Sequence, residues 1–182
     1  MKEKSQKSYG LIPIMKPRPP DEQIPKIQSL WQAGHPIIEV PLRHPKSLDW
    51  LTEITQELPK VEFWAGTVID HNDVPRLAKV GCKTIVSPGF DSEIVETSLD
   101  HGLRPLPGVA TATEIIQAKR YSIDLLKLFP AVPLGGIDYV SSMAGPFENI
   151  RFIATGGITR FNYRDYLELP NIAGVAASFL DP

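Results

Sequence analysis

Eight short apolar segments recur along the chain, and their first residues lie 20 to 27 positions apart. They span 11–15, 36–40, 61–65, 83–87, 103–108, 124–129, 151–155 and 171–178. Apolar runs of this length, often β-branched and bounded by Gly, Pro or polar residues, are typical of buried strands. We therefore predict eight strands.

Helix-like segments lie between most of these strands. Asp21 and Ser47 precede two of them as expected N-caps. Gly34, Gly81 and Gly102 follow three of them, where a residue with left-handed backbone often ends a helix.

This alternation of strands and helices predicts parallel strands and a single (β/α)₈ TIM barrel over residues 1–182. An open doubly wound sheet is the alternative, but it would not need eight evenly spaced strands. Only FLDP follows the last strand, so the final helix of a complete barrel is missing from the sequence.

The composition is that of an ordinary globular protein, with 42% hydrophobic residues, 22% charged residues and a formal net charge of −2. We expect neither a nucleic acid nor a membrane as partner, because the chain lacks a basic footprint and a long apolar span. The N-terminus does not resemble a secretory signal. A single cysteine, Cys82, argues against a disulfide framework and a zinc site, and we expect a cytoplasmic location.

The sixth strand, DLLKLF, places Lys127 between leucines. A half-exposed strand alternates apolar and polar residues, whereas this one is apolar on both faces. Because removing an ammonium group from water is costly, a buried lysine is usually paired, neutral or chemically employed.

Glu39 in the second strand raises the same question, since it lies among Ile37, Ile38 and Val40 and on the Ile37 side of the pleat. The carboxyl ends of barrel strands meet at one mouth, where active sites form. Glu39 and Lys127 are therefore expected to converge there.

The residues leave two interpretations of this pair open. One is a structural ion pair inside the barrel. The other is Schiff-base chemistry, in which a neutral lysine attacks a carbonyl and the carboxylate moves protons. Burial would lower the pKa of Lys127 and an ionised Glu39 would raise it, and the sequence does not say which effect is larger.

Other strand ends add candidate ligands for an anionic substrate. Arg43 could hold a carboxylate or phosphate through two hydrogen bonds. TGGI at 155–158 could bring backbone N–H groups to an anion, although a tight turn is the simpler explanation. Asp70 and Asp73 are better explained as turn and cap residues than as metal ligands. Trp64 has the opposite strand parity to Thr67, so we expect it to pack outward under the helices.

In chain order, the segments IIEVPLR, WAGTVI, IVSPGF, LPGVATATE, LLKLFPA, GPFENIRFIATGGI and NYRDYL resemble the 2-keto-3-deoxy-6-phosphogluconate (KDPG) aldolases. This class I family includes the bifunctional 4-hydroxy-2-oxoglutarate aldolases. The resemblance begins near residue 11 and covers nearly all the rest of the chain. It implies a TIM barrel, usually a homotrimer, that cleaves a keto acid into pyruvate and an aldehyde without metal or cofactor.

The resemblance also implies roles for individual residues. Lys127 corresponds to the Schiff-base lysine and Glu39 to the general acid/base. The implied substrate-binding residues are Arg43, Thr67, Pro88, Phe129, Thr155, Gly156, Gly157 and Ser178.

This chain departs from the family pattern around strand eight. Ala176 and Ala177 stand where the family typically carries a glycine pair, and a β-carbon hinders close approach of backbone to a phosphate. The usual helix after that strand is missing, and much of the usual N-terminal helix as well. We therefore expect weaker phosphate recognition than is usual in the family.

Two alternatives to an aldolase remain. One is a catalytically silent barrel that binds a keto acid or phosphate ligand, and the other is a phosphate-binding barrel isomerase or synthase. Neither alternative predicts a covalent adduct with pyruvate.

Overall fold

The computed structural model describes residues 8–181, which form nine strand segments and seven α-helices. The strands are β1 (Gly10–Pro13), β2 (Ile37–Pro41), β3 (Glu62–Gly66), β4 (Thr84–Val86), β5 (Arg104–Leu106), β6 (Gly108–Val109), β7 (Leu125–Leu128), β8 (Arg151–Thr155) and β9 (Ile172–Ala177). The helices are α1 (Pro20–Gln32), α2 (Ser47–Glu57), α3 (Val74–Lys79), α4 (Ser92–Asp100), α5 (Ala112–Arg120), α6 (Gly136–Ala144) and α7 (Tyr163–Leu167). A 3₁₀ helix, His71–Asp73, precedes α3.

The strands close into one ring of parallel neighbours. One run has the order β2-β3-β4-β5 and the other the order β1-β9-β8-β7-β6. β5 and β6 form a single barrel strand interrupted at Pro107, which has no N–H to donate but whose carbonyl accepts from Lys127 N. A parallel bridge between Ile14 and Glu39 joins β1 to β2. The predicted eight-stranded barrel is therefore confirmed.

The interior of the barrel holds an apolar cluster of buried side chains that lie on the strands or next to them. These are Ile12, Ile14, Ile37, Trp64, Val86, Leu106, Ile153, Ala173 and Ala176. Two larger apolar clusters lie between the strands and the surrounding helices.

Trp64 is fully buried inside the barrel, so the expectation that it packs outward is wrong. The reason lies in Thr67, whose φ of 56° departs from extended geometry. Strand parity cannot be counted across such a residue, because alternation of side chains requires extended backbone.

The expected helix starts were also wrong, whereas the expected helix ends are confirmed. α1 begins at Pro20 and α2 at Ser47, so Asp21 and Ser47 lie inside the first turn instead of capping it. The glycines at 34, 81 and 102 have φ values of 95°, 88° and 68°, the left-handed conformation expected after a helix.

Residues 178–181 follow β9 without forming a helix. The expectation of a shortened N-terminal helix falls on residues 1–7 and lies outside the described residues. Within residues 8–181, no helix has both the length and the apolar character needed to cross a membrane.

Candidate active site

Lys127 points into the barrel from β7. It is in register with Ile153 of β8, and residues in register on parallel strands share a face. Its side chain is only 3% exposed, and Nζ lies 5.0 Å from the centre of the Phe129 ring. The amine therefore sits in a largely apolar pocket, as the sequence predicted.

Glu39 points into the same interior from β2. It is in register with Trp64 of β3 and is 2% exposed. Its Oε1 atom is buried and has no hydrogen-bond partner within residues 8–181. A β-carbon at Gly66 would lie 2.4 Å from Oε1, so the glycine makes room for the carboxylate.

Burial has a larger effect than mutual attraction on the pKa of both groups, which bears on the question that the sequence left open. Burial lowers the pKa of Lys127, and this effect exceeds the opposing charge of Glu39. Burial likewise raises the pKa of Glu39, against the charges of Lys127 and Arg43. Desolvation therefore outweighs mutual attraction at both groups, which favours a neutral amine and a carboxyl group that can exchange protons.

The structural ion-pair interpretation lacks its defining contact. Among the salt bridges of residues 8–181, none joins Lys127 Nζ to a Glu39 oxygen within 4.0 Å. A buried pair that serves stability needs close geometry and satisfied hydrogen bonds to offset desolvation. Within residues 8–181, Glu39 Oε1 has no hydrogen-bond partner and burial lowers the pKa of Lys127, so the pair lacks the contacts that would offset its desolvation.

Arg43 and Thr67 meet at the rim of the barrel. Arg43 lies just beyond β2, and its Nε donates a 3.0 Å hydrogen bond to Thr67 Oγ1. The guanidinium is exposed, and its charge lowers the pKa of both Glu39 and Lys127. Arg43 is therefore near enough to act on the buried pair while remaining open to an incoming anion.

Pro88 and Phe129 flank the lysine strand. A β-carbon on Gly108 would lie 2.2 Å from the Pro88 carbonyl oxygen, so the loop after β4 packs directly on Gly108. Gly108 is the register partner of Lys127. Pro88 thus lies one strand away from the amine, on the side opposite β8.

The turn after β8 is explained by packing. Gly156 and Gly157 have φ values of 95° and 81°, and β-carbons there would lie 2.9 Å from Pro130 Cα and 2.7 Å from Val132 Cβ. The tight-turn interpretation therefore accounts for both glycines without a ligand. Thr155 is buried and in register with Ala176, whose methyl group faces the barrel interior.

Ser178 stands apart from the other candidates. It is exposed, one residue beyond β9, and its carbonyl accepts a hydrogen bond from Asp181 N. Ala177 turns outward into the cluster beneath the helices. The structure thus gathers Glu39, Lys127 and Phe129 inside the barrel and Arg43 with Thr67 at its rim, and it shows no contact that joins Ser178 to them.

Two further features concern charged residues. Asp70 accepts a hydrogen bond from Asn72 N and caps the 3₁₀ helix, as expected from the sequence. Within the described part of the chain, no group of three or more His, Cys, Asp or Glu side chains is placed to hold a metal ion.

The sequence interpretation missed Asp181, a buried carboxylate in the short segment after β9. The sequence around Asp181 has no pattern that marks it as buried.

Comparison with known proteins agrees with this geometry. The sequence model of the KDPG and KHG aldolase family matches residues 3–182. The KHG/KDPG aldolase of Escherichia coli K12 is 30% identical over 172 residues, which are 94% of this chain and 81% of that protein. The 2-dehydro-3-deoxy-phosphogluconate aldolase of Pseudomonas aeruginosa is 35% identical over 159 residues, 87% of this chain and 72% of that protein.

Solved structures show the same fold. A KDPG aldolase of Zymomonas mobilis, crystallised with 3-phosphoglycerate, superposes with a TM-score of 0.91 at 31% identity and covers 97% of this chain and 84% of its own. A KDPG aldolase of Legionella pneumophila, with pyruvate captured as a covalent carbinolamine, gives 0.90 at 30% identity over 94% of this chain and 84% of its own. This chain therefore belongs to the KDPG and KHG aldolase family.

Proposed function

We propose that the protein is a class I aldolase that cleaves a 2-keto-3-deoxy-6-phospho sugar acid or 4-hydroxy-2-oxoglutarate into pyruvate and an aldehyde. One observation carries the proposal: Lys127 is a buried amine with a lowered pKa, in the same barrel interior as the unpartnered carboxyl group of Glu39. Membership of the family supports the substrate class.

The first stage joins the substrate to Lys127. The lone pair of neutral Nζ attacks the keto carbon, the carbonyl oxygen takes a proton from Glu39, and the ammonium nitrogen returns one to the Glu39 carboxylate. Glu39 then gives that proton to the hydroxyl, which leaves as water, so that an iminium ion and an ionised Glu39 remain. Glu39 suits this stage because burial raises its pKa, which makes the protonated form more accessible than it is for an exposed glutamate.

The second stage breaks the carbon–carbon bond. Ionised Glu39 takes the proton of the substrate hydroxyl at C4, the C3–C4 bond breaks, and its electron pair flows into the iminium to form an enamine. The aldehyde leaves, the enamine is protonated at C3, and water hydrolyses the pyruvate iminium to free Lys127. One carboxyl group both gives and accepts protons, which requires the unsatisfied position that Oε1 occupies.

The remaining candidates are assigned to substrate binding. Arg43, oriented by Thr67, is proposed to hold the carboxylate of the keto acid next to the reacting carbon. Pro88 and Phe129 are proposed to wall the pocket around Lys127 and exclude water. Thr155, Gly156, Gly157 and Ser178 are assigned to the far end of the substrate.

We further propose that this far end recognises phosphate weakly. Packing accounts for both glycines of the β8 turn, and Ala176 adds a methyl group inside the barrel beside Thr155. We expect kcat/KM for the phosphorylated and unphosphorylated forms of one substrate to differ by no more than about 10-fold. A preference for phosphate of about 10³-fold or more would refute weak recognition.

The assembly is proposed to be a homotrimer in the cytoplasm. Phe161 and Ile69 are 88% and 73% exposed on loops that follow β8 and β3. Large exposed apolar side chains often mark contacts with another subunit. Light scattering coupled to size exclusion tests the trimer, and a monomer at micromolar concentration would contradict it.

Cleavage assays test the activity itself. Pyruvate release is measured with KDPG, its unphosphorylated form and 4-hydroxy-2-oxoglutarate, each with and without a strong chelator. We expect release from at least one substrate, no loss with the chelator, and none from the Lys127→Met variant. A folded protein that releases no pyruvate from any of them would favour the silent barrel, and loss with the chelator would indicate a metal-dependent enzyme.

A further inference from the structure

Within residues 8–181, β1 and β2, the strand that carries Glu39, are joined by fewer register pairs than any other two neighbouring strands. Neighbouring strands elsewhere in residues 8–181 are joined by at least two register pairs. β1 and β2 share only the isolated bridge between Ile14 and Glu39, with a 2.9 Å hydrogen bond from Met15 N to Glu39 O. The backbone of the proposed acid/base is therefore held by five register pairs with β3 on one side, and on the other side only by the short stretch that follows β1.

Asp181 binds the same short segment that follows β1. Its Oδ2 accepts a 2.7 Å hydrogen bond from Lys16 N, and Arg18 Nη1 lies 2.7 Å from Oδ1 and 2.5 Å from Oδ2. Lys26 of α1 adds a charge at 3.6 Å. Asp181 is 2% exposed and Arg18 16%, so most of this cluster is shielded from water.

The contacts form a continuous path from Asp181 to Glu39. The carboxylate holds Lys16 N, the preceding residue Met15 donates to Glu39 O, and Ile14 bridges Glu39 directly. On the other side, Ile14 N donates to Ala177 O of β9, the strand from which the Asp181 segment departs. Through these contacts Asp181 connects the end of β1 with β9 on one side and with Glu39 of β2 on the other.

We propose that Asp181 is a positioning residue for Glu39: its ion-pair cluster with Arg18 and Lys26 closes the β1–β2 junction and thereby sets the place of the Glu39 carboxyl group in the barrel. This role rests on the proposed aldolase function, because it acts through the proton transfers assigned to Glu39.

Lys127 depends far less on this cluster. Its strand, β7, is held by register pairs with β6 on one side and β8 on the other. Loosening the β1–β2 junction displaces Glu39 and leaves the nucleophile in place. A displacement of about 1 Å in a reacting group can lower a rate by about 10²-fold.

The test separates the two residues by their chemistry. Reduction with borohydride in saturating pyruvate measures adduct at Lys127, and exchange of pyruvate methyl hydrogens in D₂O measures proton transfer at C3 by Glu39. For Asp181→Asn, assayed well below its melting temperature, we expect an end-point adduct yield close to wild type. We expect the exchange rate and kcat to fall about 10- to 10²-fold, with KM nearly unchanged.

Graded variants keep the test independent of folding. Arg18→Met removes the closest cation and should lower exchange by less than Asp181→Asn, and Lys26→Met, which removes the more distant and more exposed charge, should lower it least. Asp49→Asn is the matched control, because its 3.3 Å pair with Arg76 is exposed and far from the junction in sequence. It should leave both readouts unchanged.

Exchange within twofold of wild type in Asp181→Asn and Arg18→Met would overturn the proposal. A parallel loss of end-point adduct yield and of exchange would also overturn it, because a merely structural role disturbs both residues. A slower approach to the same yield would not, since Glu39 also moves protons when the adduct forms. Absence of adduct in the wild-type protein would instead overturn the proposed function on which the inference rests.

Discussion

Glu39 and Asp181 are two buried carboxylates that differ in their hydrogen-bond partners and in the direction of their pKa shifts. Each is 2% exposed; Glu39 lies inside the barrel on β2, and Asp181 lies in the segment that follows β9. Asp181 has a backbone N–H and an arginine on its oxygens, and these partners and the charge of Lys26 outweigh its burial and lower its pKa. Glu39 has an orphan Oε1, and burial raises its pKa despite two nearby cations.

The difference shows that two equally buried carboxylates can have opposite pKa shifts, depending on whether their oxygens have hydrogen-bond partners. A buried polar group without a partner costs about 1–3 kcal/mol, and more if charged. A fold retains such a group only where something else requires it, and an exchangeable proton beside a neutral amine is such a requirement. Asp181, fully paired, has no proton to offer at neutral pH.

Replacing Lys127 tests the reactive side with the largest expected effect. Lys127→Met should lower kcat/KM by at least about 10⁴-fold, because Lys127 is the only buried lysine within residues 8–181 and the variant cannot form the Schiff base there. Its melting temperature should be equal to or above that of wild type, since a desolvated amine is replaced by an apolar side chain of similar length. Pyruvate-release kinetics and calorimetry measure the two effects. A large drop in melting temperature would indicate that Lys127 is structural.

Glu39→Gln should lower kcat by about 10²- to 10⁴-fold, the usual contribution of a general acid/base. Because the folded pKa of Glu39 is raised, wild-type stability falls as the pH rises through that pKa. The variant should therefore be more stable than wild type at neutral pH, and the gap should close as the pH falls below about 4. Urea unfolding across this pH range measures the gap. A less stable variant at pH 7 would mean that Glu39 is paired.

Gly66→Ala should reduce kcat by about 10²-fold by pushing the Glu39 carboxyl group from its place, because the new β-carbon would lie 2.4 Å from Oε1. Gly145→Ala is the matched control, since the space around that glycine is open and its φ of −62° suits any residue. Steady-state kinetics on both variants suffice. Equal activity of the two would refute the tight fit of Gly66 against Glu39.

Asp181→Asn has the smallest expected effect on activity, and its effect on stability has the opposite sign to that of Glu39→Gln. The folded pKa of Asp181 is lowered, so its contribution is present at neutral pH and disappears as the pH falls through that pKa. We expect a loss of about 2 kcal/mol in unfolding free energy at pH 7, less than for a fully buried pair because Arg18 and Lys26 keep some contact with water. The loss should shrink below about pH 4. If the variant is still less stable than wild type below about pH 4, the loss of unfolding free energy does not come from the ion pairs of Asp181.

The sequence predicted the features that depend on the spacing of apolar and polar residues along the chain. It gave the eight barrel strands, the helix ends at glycines, and Glu39 and Lys127 as buried groups, because apolar runs and a polar residue within them are visible in one dimension. The order of the motifs indicated a resemblance to the KDPG aldolases, and the comparisons confirm that family.

The sequence did not predict the backbone angles and contacts that depend on the tertiary structure. The direction of Trp64 depended on the positive φ of Thr67, and the start of α2 depended on a Ser47 hydroxyl that accepts from His44 N instead of capping the helix. Asp181 acquires its partners from residues more than 150 positions away. No local pattern marks such a contact, because it forms only when the first and last strands meet.

The central claim is that Lys127 is the nucleophile, and borohydride trapping with pyruvate tests it most directly. Hydride adds to the iminium carbon and leaves pyruvate attached to the lysine nitrogen, so intact and peptide masses locate the adduct. We predict one adduct per chain, on Lys127, and none in Lys127→Met. No adduct in a folded wild-type protein, or an adduct on another lysine, would contradict the account.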